Sequence, residues 1–463
     1  METTLYDYDI YPKVFLRSRA TNITVEPKGA HAAFTPHEII AAQVRETAVA
    51  EERRMPGSFG TTTVFTMPDG DGRLVIPFSA PREGMYQVQL FKLGGHFICE
   101  LRIYALDHDM AGLYPLRGDL HLHSCRSDGH EAPAVVAANY RGFGYDFAAI
   151  TDHERYYPSL EARAALGIGK DDKSEITDML VATGEEIQLP LSGVHYINFG
   201  GKFSVNGLVK STDNYDIGDG IEYRSLDGDA PDAMTEDEYK AMIREKAKTS
   251  PRKIESEKVS YAAIEWIYST VKKAGGLAVF PHPYWLTTTM QVSEDYTKFL
   301  YERAPFDAFE VLGGERYYSH NGFQTALYYE MKARGYDRAV VGSTDSHAAR
   351  REYDGALICS TIAFAKANTT EAIIEAVKTK HSVAVDTISR EYRLVGDFRL
   401  VKYASFLMEN YYPLHDEACR AEGYYLGRYV AGDADARKEA EAVLRAMKGH
   451  VPGMMRRYFD IEG

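Results

Sequence analysis

Cysteine is scarce in this chain. There are four in 463 residues, and Cys99, Cys125, Cys359 and Cys419 stand far apart with no CxxC pair. That spacing argues against a disulfide framework or a thiolate zinc knot and leaves buried or neutral thiols. No apolar run approaches the roughly 20 residues of a membrane-crossing helix, so no membrane partner is expected. The N-terminus, METTLYDYDIYPKVF, is acidic and lacks the basic-then-apolar order of a secretory signal; a cytoplasmic protein is expected. No basic stripe offsets the formal net charge of −14, which disfavours nucleic acid as a partner. Internal repeats and low-complexity tracts are absent as well.

What is present reads as globular. Hydrophobic residues make up 45% and charged residues 26%, and the length exceeds what one ordinary core serves. Residues 1–112 read as an all-β, sandwich-like domain. Apolar and polar residues alternate at 22–25, 73–78, 85–91 and 97–104, with Gly, Pro and Asp turns between. An Ala-rich stretch at 38–54 offers a short helix instead. From Pro115 the rhythm changes. Short apolar strands at 118–123, 147–153, 179–187, 195–199, 277–282, 308–312 and 339–347 alternate with helical patterns at 132–141, 259–274, 322–334 and 370–378. Such repetition implies parallel β-α units, an α/β domain over 113–390. Residues 200–256 interrupt it with Asp/Gly-rich turns at 213–232 and a charged helical run at 235–248, a lid, an insertion or a mobile loop. Residues 391–463 read as a helical C-terminal extension, with an amphipathic helix at 434–447.

Potential metal ligands gather at the C-terminal ends of those strands. The first ends in His121-Leu-His123, and residues two apart on a strand share a face, so both imidazoles can reach one ion. Asp128 follows in a Ser-Asp-Gly turn. The second strand ends in Thr-Asp-His153, the third in Gly-Glu185-Glu186, and His195 opens the fourth. The fifth ends in Pro-His282-Pro and the seventh in Thr-Asp345-Ser-His347. In a β/α barrel that end carries the active site. So many imidazoles and carboxylates gathered without cations would leave unpaired polar groups and mutual repulsion.

Taken in order, Gly-Asp-Leu-His-Leu-His-Ser-Cys-Arg-Ser-Asp-Gly, Ile-Thr-Asp-His, Gly-Glu-Glu-Ile, Pro-His-Pro and Thr-Asp-Ser-His resemble the polymerase and histidinol phosphatase (PHP) family of metal-dependent phosphoesterases, over about 115–390. The β-domain in front resembles a branch of that family with an N-terminal β-domain. The resemblance implies a distorted (β/α)7 TIM-like barrel and two to three divalent transition-metal ions. It places His121, His123 and Asp345 on a first ion and Glu186 between the first and a second. His195 and His282 complete the second, and Asp128, His153 and His347 hold a third. Glu186 rather than Glu185 follows from the motif spacing. Ser124 stands where many relatives carry Thr.

Mixed nitrogen and oxygen ligands suit Zn, Mn or Fe better than Mg or Ca. A water shared by two such cations loses its proton near neutral pH and becomes the nucleophile, so no Ser or Cys nucleophile is needed. Cys125, inside the first motif, reads as packing. His153 and Asp345 are the candidate catalytic side chains, with His153 or a metal-bound water protonating the leaving group. Arg126, Arg316, Arg350 and Arg351 sit in loops on the same rim as candidate phosphate anchors. The expected substrate is a small-molecule phosphate or ester, and an oligomer is left open. The leading expectation is release of phosphate from a small organic phosphate such as a nucleotide or sugar phosphate. Its alternatives are a carboxyl- or carbamate-ester hydrolase on the same metals, a phosphodiesterase or exonuclease, and an idle barrel whose β-domain binds a carbohydrate or a partner chain.

Overall fold

A computed structural model describes residues 6–48, 61–210, 233–286, 288–313, 318–349, 359–387 and 393–462. The chain divides into two compact units. One holds residues 1–114, 402–415 and 449–463, the other 115–401 and 416–448.

The first unit is built on two sheets. Tyr8–Tyr11, Thr21–Pro27 and Leu74–Phe78 form an antiparallel three-stranded sheet. The second sheet has six strands, in the order Phe459–Asp460, Val14–Leu16, Phe97–Leu106, Gly84–Lys92, Ile40–Glu46 and Thr61–Thr66. One apolar core draws on both, with Ile23, Val25 and Ile76 from the first and Val44, Val88 and Ile103 from the second. Alternation explains the split of faces: Ile40–Glu46 buries every second residue. The helix offered for the Ala-rich stretch at 38–54 is therefore not formed at 40–46. Pairing with two neighbouring strands there outweighs alanine's helix preference. The C-terminus is helical as expected, with Ala434–Met447 capped by Asp433, but it does not stand apart. Phe459–Asp460 pairs in parallel with Val14–Leu16, so the last described strand adds an edge to the six-stranded sheet.

The second unit is mixed α/β. A six-stranded sheet runs in the order Leu180–Ala182, Phe147–Ile150, Tyr114–Leu122, Cys359–Ala365, Ser382–Asp386 and Arg393–Gly396. A five-stranded sheet runs Gly184–Ile187, Tyr196–Phe199, Leu277–Phe280, Ala308–Leu312 and Ala339–Gly342. Parallel bridges Leu122–Ser346 and His153–Glu186 tie the two together where the ligand motifs lie. All seven expected strands are present, with three differences. The run at 179–187 breaks at Thr183 into two strands in different sheets. Tyr196–Phe199 runs antiparallel to both of its neighbours. After residue 358 comes an unanticipated antiparallel set of three strands. Strands here are buried on both faces, so their sequences carry no alternation to reveal direction.

Helices Pro133–Gly142, Glu255–Ala274, Tyr318–Ala333 and Thr370–Lys378 cover the expected stretches. Glu236–Ala247 begins with a capping box, Thr235 accepting from the Glu238 amide while Glu238 reaches back to the Thr235 amide. The turns at 213–232 lie outside the described residues. Close strand packing is set by Gly118, where a Cβ would fall 2.2 Å from the Phe147 carbonyl oxygen. Among the described residues no helix is long and apolar enough to cross a membrane.

Candidate metal centre

The backbone first brings the two ends of the ligand series together. Asp345 N–H donates to His121 O at 3.0 Å, and His123 N–H to Ser346 O at 2.9 Å. Buried Asp119 accepts from the amides of both His121 (3.0 Å) and Thr344 (3.1 Å). Asp152 accepts from Ser124 N–H, Ser124 Oγ and Ser127 Oγ at 2.6–2.8 Å, which folds the loop that carries Asp128. His282 and Asp345 sit at φ 27° and 49°, on the left-handed side that non-glycine residues avoid. Strain held at such positions is typical of functional sites.

The side chains then converge in three overlapping groups. In the first, Asp345 Oδ1 lies 3.0 Å from both His121 Nε2 and His123 Nε2, which are 3.2 Å apart. Glu186 Oε2 lies 3.4 Å from each of those two nitrogens. In the second, Glu186 Oε1 is 2.8 Å from His195 Nδ1 and 3.3 Å from His282 Nε2. In the third, Asp128 Oδ2 is 3.4 Å from His153 Nε2 and 3.3 Å from His347 Nε2, and Asp128 Oδ1 is 3.8 Å from His123 Nδ1. Glu186 thus joins the first two groups, and His123 joins the first and third.

This donor set fits divalent ions. His121 and Glu186 are completely buried, and His123 nearly so. His123 Nδ1 has no hydrogen-bond partner although it is buried, an arrangement that protein interiors rarely tolerate without a bound species. Two imidazole nitrogens and two carboxylate oxygens in the first group are donor types that zinc takes. The electrostatics agree. Burial opposes charge on the carboxyls, yet the surrounding imidazoles hold Glu186 and Asp345 well below the usual carboxylate range. Burial, with His153 and His347 alongside, pushes His123 down to about 3, so this ring is neutral and its lone pair is available.

Adjacent residues on a strand face opposite ways, and this separates the two glutamates. Glu186 meets the imidazoles. Glu185 turns away and accepts from Asn198 Nδ2 (3.0 Å), Ser204 Oγ (2.9 Å), Val205 N (2.6 Å) and Asn206 Nδ2 (2.9 Å). The outer partners of the imidazoles had no role in the sequence reading. Glu310 Oε2 lies 3.1 Å from His121 Nδ1 and Gln291 Oε1 is 2.9 Å from His282 Nδ1, contacts that fix which ring nitrogen faces inward. The one available signal was Glu310 itself, a carboxylate inside the wholly buried strand Ala308–Leu312.

The candidate anchors fare differently. Arg126 forms a two-pronged pair with Glu161, Nε and Nη2 each at 2.9 Å. Arg316, Arg350 and Arg351 lie outside the described residues. The Cys125 thiol is half-buried and raised by burial, so it carries little thiolate.

No protein-family model matches this chain, and no curated protein matches it. Solved structures do. A two-domain protein from Bacteroides vulgatus, described as containing a predicted PHP-like metal-dependent phosphoesterase, is 18% identical with TM-score 0.37. That match covers 59% of this chain and 65% of the other, so it spans under two thirds of that protein's length. A candidate metal-dependent phosphoesterase from Bifidobacterium adolescentis matches at 17% identity and TM-score 0.30, over 50% of this chain and 87% of the other. An amidohydrolase from Chromobacterium violaceum, with bound sulfate and no metal, matches at 15% and 0.30, over 51% and 89%. Likenesses this distant say nothing about activity, and the case rests on the donor atoms themselves.

Proposed function

We propose that this chain is a multinuclear metal-dependent phosphoesterase of the PHP type, acting on a small organic phosphate. The observation that carries the proposal is the sharing of Glu186 and His123 among three groups of donors, which suits two or three neighbouring ions rather than one. The two sheets and their bridges at Leu122–Ser346 and His153–Glu186 support the distorted seven-unit barrel that this reading needs.

Zinc, manganese or iron, when bound, would supply Lewis acidity and an acidified water. His121, His123, Asp345 and Glu186 would hold the first ion, Glu186, His195 and His282 the second, and Asp128, His153 and His347 the third. The protein's own side chains do the rest. Asp345 Oδ2, 3.9 Å from His282 Nε2, is placed to orient the attacking water as a hydrogen-bond acceptor. His153, partly exposed at the edge of the cluster, would present Nε2 to the third ion while Nδ1 faces Glu186 and Gln188, so the leaving oxygen would take its proton from solvent. Buried Glu310 and half-buried Gln291 keep the rings from turning.

A second reading keeps the ions and changes the bond. The cavity beside His195 has no Lys or Arg among its described lining residues, which suits a neutral carboxyl or carbamate ester. The test is a hydrolysis panel on zinc- or manganese-loaded protein with a phosphomonoester, a phosphodiester and a carboxylester of one chromophore, each against His123→Ala. Phosphomonoester turnover lost in the variant is expected. Turnover of the carboxylester alone would replace the phosphoesterase reading with the second one.

A further inference from the structure

A cavity of about 460 Å³ opens beside the second donor group, with His195 in its wall. That is the size range of small-molecule sites. Its wall is held in place by backbone. Trp285 N–H donates to His282 O at 2.9 Å, Gln291 N–H to Trp285 O at 2.8 Å and Val292 N–H to Pro283 O at 3.1 Å. Leu286 and Met290 bridge across the same turn. The backbone of this turn is tied down, and the half-buried indole of Trp285 lies 6.1 Å from the His282 ring between centroids.

The chemistry of the lining is one-sided. Trp285, Met290 and Val194 are apolar, Gln188 and Gln291 are neutral amides, and the described lining contains no Lys, Arg, Asp or Glu. Each amide is tethered at one end. Gln188 Nε2 is 2.6 Å from His153 Nδ1, and Gln291 Oε1 is 2.9 Å from His282 Nδ1. The opposite ends, Gln188 Oε1 and Gln291 Nε2, have no side-chain or backbone partner among the described residues and remain open to hydrogen bonding. An indole face stacks on flat rings, and amides read the polar edges of such rings. A charged tail would lose its water here with no opposite charge to replace it.

We propose that this cavity is the specificity pocket of the hydrolase. It takes the part of the substrate that bears no phosphate, and that part is a flat, uncharged ring with hydrogen-bonding edges. The proposal rests on the phosphoesterase reading for the identity of the bond, but not for the identity of the ring. A heteroaromatic base meets this description directly; a pyranose is a puckered chair, but it too can lay a C–H face on an indole and offer polar edges to the amides, and the test separates the two.

The binding of two phosphate-free probes, a nucleoside and a methyl hexoside, to metal-loaded protein is measured by calorimetry. Turnover is compared for a nucleoside monophosphate, a hexose phosphate and phosphoglycerate. The expected result is sub-millimolar binding of one ring probe and at least a tenfold preference in kcat/KM for the matching ester over phosphoglycerate. Trp285→Ala should cut both by about 10- to 100-fold, the usual loss for a stacking platform. If far-UV circular dichroism shows that variant misfolded, Met290→Glu at the exposed rim replaces it, with the same loss expected. Ring binding without turnover of any phosphate ester would sink the phosphoesterase reading and leave the pocket standing. Turnover indifferent to the tail, with neither ring bound at millimolar concentration, would overturn the pocket and leave the phosphoesterase.

Discussion

At the scale of single residues, neighbours in sequence have opposite jobs, and the structure separates them. Glu185 and Glu186 are both completely buried carboxylates. Glu186 meets five imidazoles, those of His121, His123, His153, His195 and His282. Glu185 instead anchors the turn at 204–206 through its hydrogen bonds. Glu186→Gln is expected to leave the melting temperature of metal-free protein within a few degrees, while bound metal falls by at least one equivalent and turnover drops by about a thousandfold. Glu185→Gln replaces an acceptor of several donors with a group that must point an N–H₂ at some of them, and is expected to cost about 1–3 kcal/mol of stability. Metal analysis beside thermal melts separates the two, and equal metal loss in both variants would refute the division. Lys13 makes a different point. Its ammonium is completely buried without a hydrogen-bond partner, 3.8 Å from Asp9, and burial lowers its pKa to about 8. Below pH 8 both folded and unfolded chains carry this proton, and the folded state bears the whole cost of the buried charge. Between pH 8 and the ordinary lysine value near 10.4 the unfolded chain holds more protons, so this contribution to stability rises with pH. Asp9 keeps Arg457 and Tyr458 as partners without Lys13. Lys13→Met is therefore expected to be more stable than the parent at pH 7, by up to about 3 kcal/mol, and the gap should close toward pH 10.5. Denaturant melts at both pH values check this, and a gap that widens with pH would contradict it.

At the scale of elements, the sequence was most readable where chemistry and strand ends coincide. The strands that lead to His153 and Asp345, Phe147–Ile150 and Ala339–Gly342, are short apolar runs that stop just before the polar ligand motif, whereas Tyr114–Leu122 carries Arg117, Asp119 and His121 within it. The pattern shows both the strand and its end. Direction and partner were not readable. Gly184–Ile187 and Tyr196–Phe199 are buried throughout, so no alternation distinguishes an antiparallel neighbour from a parallel one. Cys359–Ala365 is likewise wholly buried, and reading it as a strand required knowing that Ser382–Asp386 returns beside it. Phe459–Asp460 has two residues, too few for any period, and its place in the sheet is set by pairing with Val14 and Phe15. Outer partners such as Glu310 and Gln291 were hidden for a related reason. Glu310 touches its imidazole across 189 residues of chain and Gln291 across nine residues of irregular turn, and no helix or strand period marks either spacing.

At the scale of the whole molecule, metal binding and folding are one equilibrium. Ions that bind only the folded chain stabilise it by RT ln(1 + [L]/Kd), about 4 kcal/mol at a thousandfold excess over Kd. The unit that holds the donors also holds both tryptophans of the chain, Trp266 and Trp285. Tryptophan fluorescence therefore reports on the unit with the convergent donors alone. Removing the ions with a chelator is expected to lower the melting midpoint read at tryptophan by about 5–15 °C, given the few degrees per kcal/mol usual for large domains. Adding back zinc or manganese should restore it. In His123→Ala the same treatment should move the midpoint far less, because the ring that joins the first and third donor groups is gone. A midpoint in the parent that ignores both chelator and added metal would mean that the convergent imidazoles and carboxylates hold no ion, and the hydrolase reading would fall with it.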